Sequence, residues 1–259
     1  MSYWKILGKF AAASAFIMVL LASSVPSTAP QAPSAGSPHA GHDGMDMAAH
    51  EQMQTDPVRQ AILARNKKES EFNHHLAGFL VILAGLFLLG ESALRQRWPS
   101  ARFAWPACFL ACGLFLLVFS DTELWPFGPQ SWWYGLTHNP EDLQHKTFAV
   151  ILLALGILEI QRARGVLKSA WAIWVFPVLA LFGSVMLLFH EHNSGMHGAD
   201  HMMAMRRIQA EHLNFAIVGG GVGIVKGLSE LRTRRQAVFT KSWPLLLIVL
   251  GILLMRYTE

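Results

Sequence analysis

The chain has 259 residues, of which 53% are hydrophobic and only 15% are charged, and its formal net charge is +4. Soluble domains average about 25% charged residues, so this composition indicates a membrane protein. The lysines and arginines cluster in short segments beside apolar runs, which excludes a basic nucleic-acid-binding face. The two cysteines, Cys108 and Cys112, lie inside one apolar run, which excludes a disulfide framework.

The N-terminus has the pattern of a secretory signal. Lys5 and Lys9 precede an apolar stretch of small residues, and "ASS" and a Pro-rich segment follow it. We expect residues 1–24 to be a signal peptide or an uncleaved anchor, which places the next segment outside the cytoplasm. Residues 25–70 are rich in Pro, Ala, Ser and Gly and are expected to be disordered. This segment carries candidate metal ligands at His39, His42, Met45, Met47 and His50.

Six apolar runs follow, and each is near the length that crosses about 30 Å of hydrocarbon as a helix. Helices satisfy their own backbone hydrogen bonds in lipid. We therefore predict an all-α fold, a polytopic bundle of six transmembrane helices in the lipid bilayer, within residues 74–259. The runs are 74–94, 103–120, 145–161, 170–190, 212–231 and 243–256.

The loops between these runs predict the orientation. Three of them are rich in arginine and lysine, which by the positive-inside rule places them in the cytoplasm. They read "RQRWPSAR", "QRARGVLK" and "RTRRQAVFTK". All twelve histidines then fall on the opposite, extracytoplasmic side or at that edge of the membrane.

An internal repeat divides the membrane region into three helical hairpins, about 74–121, 145–191 and 212–259. The first helix of each hairpin begins with His. The second carries Gly, then an aromatic residue six positions later and an acid eight positions later. Packing around a pseudo-threefold axis would bring two sets of side chains to equivalent outer positions. The sets are His75, His145 and His212, and Asp121, Glu191 and Glu259.

The loop after the fourth apolar run, "HEHNSGMHGADHMMAM", is crowded with side chains that bind metals. Thioethers favour Cu(I) and imidazoles accept both copper oxidation states, so this composition favours copper. The same residue types recur in the N-terminal segment, on the same predicted side. The alternative is a flexible polar linker, with the histidines at the helix ends acting as caps. The candidate ligands of the loop are His190, Glu191, His192, Met196, His197, His201, Met202, Met203 and Met205.

Several other residues in or beside the apolar runs are expected to have structural roles and not to bind metal. The two cysteines are four residues apart and share a helix face, where we expect them to pack rather than to bind Cu(I). Glu91, Glu159 and Glu230 end three helices beside arginine clusters and are expected to form ion pairs at the inner interface. His138 lies next to two tryptophans and a tyrosine, which is typical of an interfacial aromatic belt.

Three spaced blocks of the membrane region carry a family resemblance. They read "DTELWPFGPQSWWYGLTHNPEDLQHKTFAVILLALGILEIQRARG", "WVFPVLALFGSVMLLFHEH" and "WPLLLIVLGILLMRYTE". Together they resemble the membrane region of bacterial copper-resistance D-type proteins, in particular a C-terminal extension found in some of them. The resemblance covers about residues 74–259 and implies periplasmic copper handling at the bacterial inner membrane. The chain lacks the larger eight-helix core of that family, so the resemblance does not extend to a full transport mechanism.

These observations predict a copper-binding membrane protein and not an enzyme, because no nucleophile–base or acid–base pairing stands out. We expect the tail and loop to capture Cu(I) or Cu(II), and the outer mouth of the bundle to hold it. The copper would pass to a periplasmic copper carrier or across the membrane. One alternative is an electron-transfer protein that binds haem b through two bundle histidines. Another is an assembly or scaffold protein with incidental histidines. No nucleic-acid partner is expected.

Overall fold

The apolar runs form helices. In residues 57–189, 199–231 and 233–258, which the computed structural model describes, the chain has seven α-helices and no strand. They are α1 Pro57–Arg97, α2 Ala104–Phe119, α3 Trp132–His138, α4 Pro140–Ala163, α5 Ala172–Leu187, α6 Ala199–Ser229 and α7 Gln236–Met255. A 3-10 turn, Pro99–Phe103, precedes α2.

Within the described residues, four segments are long and apolar enough to cross a membrane, in agreement with the predicted membrane protein. They are Gln60–Arg97, Pro99–Phe119, Pro140–Ala163 and Gln236–Met255. Helix α5 is also apolar but has only 16 residues. At 1.5 Å per residue it is about 24 Å long, which is short of the roughly 30 Å hydrocarbon layer.

Four helices begin earlier than the apolar runs indicated, and the extension is longest in α1 and α6. Helix α1 starts at Pro57, so residues 57–70 are helical where the sequence predicted disorder. The stretch contains no Gly, its Pro stands at the first helical position, and ion pairs at i,i+4 spacing join Arg65 to Glu69 and Lys67 to Glu71. Helix α6 likewise starts at Ala199 and takes up part of the predicted loop. The predicted signal sequence, residues 1–24, and the rest of the tail, residues 25–56, lie outside the described residues.

The six longer helices close into a ring. Helix α1 packs against α2 and α7, α2 against α4, α4 against α5, α5 against α6, and α6 against α7. At the end of the ring beside the arginine-rich loops, Trp105, Phe109, Phe176 and Trp243 pack edge to face with ring centroids 5.5–6.5 Å apart. This aromatic cluster fills the centre of the ring on the side of the arginine-rich loops.

Glycines set the close approach between neighbouring helices. A Cβ on Gly78 would lie 2.6 Å from the Gly251 carbonyl oxygen, and a Cβ on Gly251 would lie 2.7 Å from the Gly78 carbonyl oxygen. A Cβ on Gly113 would lie 2.9 Å from the carbonyl oxygen of Ala149. The third glycine of the predicted repeat, Gly183, instead faces the ring of Phe148. Backbone contact of this kind needs small residues on both helices.

The ion pairs predicted for Glu91, Glu159 and Glu230 are confirmed. Arg95 pairs with Glu91 at 3.3 Å, and Arg162 pairs with Glu159 at 2.7 Å and with Glu230 at 3.6 Å. Since Arg162 and Glu159 are on α4 and Glu230 follows α6, Arg162 joins two helices of the ring. The glutamates at this end are therefore partnered by arginine.

Candidate metal centre at the histidine end of the bundle

Three histidines from three helices line one cavity inside the ring. His74 comes from α1, His145 from α4 and His212 from α6. The cavity has a volume of about 220 Å³, and mainly apolar side chains from all six longer helices form the rest of its wall, together with Asn73, Ser120 and Ser184. Cys112 is part of that wall and is fully buried. The cavity thus combines apolar walls with three imidazoles that enter from the first turns of the predicted spans.

Each of these histidines makes a hydrogen bond through Nδ1. The acceptors are the Ser70 carbonyl oxygen at 2.9 Å from His74, Asp121 Oδ1 at 2.7 Å from His145, and the Ile208 carbonyl oxygen at 2.8 Å from His212. Carbonyl and carboxylate oxygens only accept, so Nδ1 carries the proton in all three rings. In the neutral imidazole Nε2 then carries the lone pair, and this is the tautomer found in metal-binding histidines whose other nitrogen donates to oxygen.

His74 and His212 are close to each other and to a buried tyrosine. The His74 ring stacks on the Tyr257 ring with centroids 3.8 Å apart, and it meets the His212 ring edge to face at 5.9 Å. A metal–imidazole bond of about 2 Å puts the centroids of two rings on one ion roughly 5–6 Å apart. The separation of these two rings therefore suits one shared ion. The ligand nitrogens of His74, His145 and His212 do not all lie within 4.8 Å of one another, so His145 is less closely placed than the other two.

The structure places His74, not its neighbour His75, on the cavity wall. His75 is hydrogen-bonded through Nε2 to the Tyr257 carbonyl oxygen at 3.1 Å, away from the cavity-lining set. The spacings in the sequence do not separate the two residues. His74 precedes Gly113 by 39 residues, as His212 precedes Gly251, whereas His75 precedes Gly113 by 38, as His145 precedes Gly183. The predicted set of His75, His145 and His212 is therefore brought together only in part.

Asp121 is the centre of a buried polar network beside the cavity. It is 4% exposed, its Oδ1 accepts from His145, and its Oδ2 accepts from Ser120 Oγ at 2.5 Å and lies 2.7 Å from Lys146 Nζ. Burial opposes ionisation of this carboxyl, but the hydrogen bonds from His145, Lys146 and Ser120 outweigh burial and hold the pKa of Asp121 below its usual value. Sequence reasoning found Asp121 and His145 but not Lys146, which is 5% exposed.

Many of the other predicted ligands lie outside the described residues or have side chains that are not described. Met205 is half-buried in α6, and His138 is exposed and stacks on Tyr134 with centroids 4.3 Å apart. Cys108 and Cys112 are buried among apolar side chains, as expected for packing residues. The predicted ligands without a described side chain are His39, His42, Met45, Met47, His50, His190, Glu191, His192, Met196, His197, His201, Met202 and Met203, with Glu259 of the acidic set.

Comparison with known proteins gives no match, whether with protein-family models, curated proteins or solved structures. A functional assignment therefore rests on the residues and geometry described above.

Proposed function

We propose that the chain is a membrane copper-binding protein that holds copper at the histidine end of its bundle. The observation that carries the proposal is the shared chemistry of His74, His145 and His212. All three reach one cavity, and all three donate Nδ1–H to an oxygen, which is the hydrogen bond that metal-binding histidines make through their other ring nitrogen. Imidazole binds both Cu(I) and Cu(II).

The proposed topology has six membrane spans in three hairpins. Supporting it, the second helix of each predicted hairpin packs on the first helix of the next: α2 on α4, α5 on α6, and α7 on α1. That cyclic order is what packing around a pseudo-threefold axis predicts. With the arginine-rich loops in the cytoplasm, the histidine end faces the periplasm of the bacterial inner membrane. The tail and the His/Met-rich loop would capture copper there, and a periplasmic copper carrier would exchange it.

A haem b protein is the alternative with a specific chemical basis, because histidines are the usual axial ligands. The cavity argues against it. Its volume of about 220 Å³ is below the roughly 300–1,000 Å³ of pockets that hold small-molecule ligands and organic cofactors. A metal ion needs far less space. The size of the cavity therefore favours an ion over a cofactor.

The test exploits the neighbouring pair His74 and His75. The full chain is purified in detergent, and the affinity of its tightest copper site is measured by competition with a chelator. We expect His74→Ala, His145→Ala and His212→Ala each to weaken that site at least tenfold, because the remaining ligands cannot complete the coordination. We expect His75→Ala to retain the site, since His75 is outside the cavity.

Two further variants serve as controls, and a spectrum tests the alternative. His138→Ala changes an exposed histidine, and His197→Ala changes a loop histidine whose neighbours can substitute for it; both should keep the tight site. Loss of the site in His75→Ala with retention in His74→Ala would overturn the cavity assignment. A Soret band in the purified protein, without bound copper, would show that the histidines bind haem and not copper. If all variants bind like the wild type, copper binding belongs to the tail and loop alone.

A further inference from the structure

Three carboxylates that lie outside the histidine cavity meet at the same end of the bundle. Asp121 follows α2, Glu123 is two residues further along, and Asp142 is in the first turn of α4. One carboxylate oxygen from each lies within 4.8 Å of the others, and Asp121 and Asp142 are buried. Like charges at this distance repel unless a proton or a cation lies between them.

The fold around the loop between α2 and α3 brings Glu123 to Asp142. The Glu123 carbonyl oxygen accepts from the Gln130 amide at 3.1 Å, and the Gln130 carbonyl oxygen accepts from the Trp125 amide at 2.8 Å, which closes the loop. Leu124, 2% exposed, anchors it against α3. There a Cβ on Gly135 would lie 2.5 Å from Leu124 Cδ2 and 2.6 Å from Asp142 Oδ2. The loop, α3 and the first turn of α4 are thus packed together around the carboxylates.

Asp142 has an oxygen that the protein does not satisfy. Its side chain is 0% exposed, and Oδ1 accepts from Asn139 Nδ2 at 2.8 Å. Its Oδ2 is buried and has no hydrogen-bond donor within the part of the chain that the structure describes. A buried carboxylate oxygen without a partner is strongly unfavourable.

The charges of the three groups are compensated unequally. Asp121 is paired with Lys146 and hydrogen-bonded by His145. Among residues 57–189, 199–231 and 233–258, no ion pair reaches Glu123 or Asp142. Glu123 and Asp142 therefore have no cationic partner within the described residues, and a proton or a cation is needed among the three carboxylates. A divalent cation would satisfy all three at once.

We propose that Asp121, Glu123 and Asp142 bind a hard divalent cation, with Ca²⁺ as the best fit. All three ligand atoms are carboxylate oxygens. Ca²⁺ and Mg²⁺ prefer oxygen ligands, whereas copper sites rarely use oxygen ligands alone. The three oxygens lie within 4.8 Å of one another, and two oxygens at about 2.4 Å on opposite sides of one Ca²⁺ are also about 4.8 Å apart, so all three can reach one such ion. The shorter bonds of Mg²⁺, about 2.1 Å, require oxygens within about 4.2 Å and a stricter octahedron. The bound ion would tie the loop after α2 to the first turn of α4.

The experiment measures cation-dependent stability of the full chain in detergent after treatment with a chelator. We expect added Ca²⁺ at about 100 times its Kd to raise the unfolding temperature of the wild type by about 5–10 °C. Glu123→Gln and Asp142→Asn should lose this rise. Glu141→Gln, which changes a carboxylate in the same helical turn but outside the cluster, should keep it. Tb³⁺ should replace Ca²⁺ and luminesce on tryptophan excitation. Trp132 is near the site, because its ring is 5.5 Å from Lys146 Nζ, which pairs with Asp121.

Folding of the variants does not confuse the result. Glu123 is exposed, so Glu123→Gln should fold normally, and Asp142→Asn keeps the shape while removing a buried charge. The site is overturned if Ca²⁺ leaves the wild-type unfolding temperature unchanged, or if Glu123→Gln responds as strongly as Glu141→Gln. A larger response to Mg²⁺ than to Ca²⁺ would overturn the choice of ion. Because the readout contains no copper, failure of this site and failure of the copper proposal are seen separately.

Discussion

The Asp121–Lys146 pair offers the sharpest test of how this end of the bundle is stabilised. The two side chains are 4% and 5% exposed and 2.7 Å apart. Asp121→Asn keeps the shape but leaves the ammonium of Lys146 buried, with only the Leu116 carbonyl oxygen and Ser120 Oγ, each at 3.2 Å, as acceptors. Removing one partner of a buried pair costs about 3–5 kcal/mol. Because two acceptors remain, we expect a loss near 3 kcal/mol, or about 6–12 °C in unfolding temperature.

Thermal unfolding of the purified chain, followed by tryptophan fluorescence, measures this loss. The double variant Asp121→Asn/Lys146→Met removes both charges and should recover most of the stability. Neutralising the exposed Arg65–Glu69 pair, whose atoms are also 2.7 Å apart, should cost less than about 1 kcal/mol. The reasoning is refuted if Asp121→Asn is as stable as the wild type, or if the double variant is no more stable than the single one.

The same pair predicts a pH dependence with a definite sign. Since the pKa of Asp121 is held below its ordinary value of 3.8, the ionised carboxylate contributes stability above that pH. The contribution is lost as the pH falls from about 3.8 through the lower pKa of the native state. Asp121→Asn cannot show this loss, so the difference in stability between wild type and variant should shrink in that window. A constant difference would contradict the assignment of the ionised form.

Two further predictions concern topology and helix packing. A reporter that is active only in the cytoplasm should be active when fused after Arg164 and silent when fused after Met203. The reverse pattern would show that the bundle has the opposite orientation and would contradict the periplasmic copper proposal. Gly251→Ala places a Cβ 2.7 Å from the Gly78 backbone and should cost about 1–3 kcal/mol of unfolding free energy. Gly221→Ala, whose nearest neighbour would be 3.7 Å away, should be tolerated, and equal effects of the two changes would discount close packing of α1 and α7.

The sequence by itself determined the features that depend on local composition. Hydropathy and length predicted a membrane protein, and four segments are long and apolar enough to cross a bilayer. Proximity along the chain predicted that Glu91 and Glu159 would pair with the arginines that closely follow them in the sequence. These properties require only neighbouring residues, so a linear pattern contains them.

Helix boundaries were less predictable because the polar ends of helices carry no hydropathy signal. Helix α1 begins at Pro57 because good helix formers and i,i+4 ion pairs extend it beyond the apolar run. In the same way α6 extends back to Ala199, through a stretch that its metal-ligand composition had suggested was loop.

Only the tertiary structure decided which side chains meet. Adjacent residues on a helix point about 100° apart, so the choice between His74 and His75 depends on the rotation of α1. Contact between Gly78 and Gly251 sets that rotation against α7. Likewise the sequence shows Asp142 only as an acidic residue in the first turn of a helix. In the tertiary structure the loop after α2, held by Leu124 against Gly135, brings Glu123 and Asp121 close to it. Such meetings arise from contacts between residues distant in the chain, and a hydropathy pattern does not encode them.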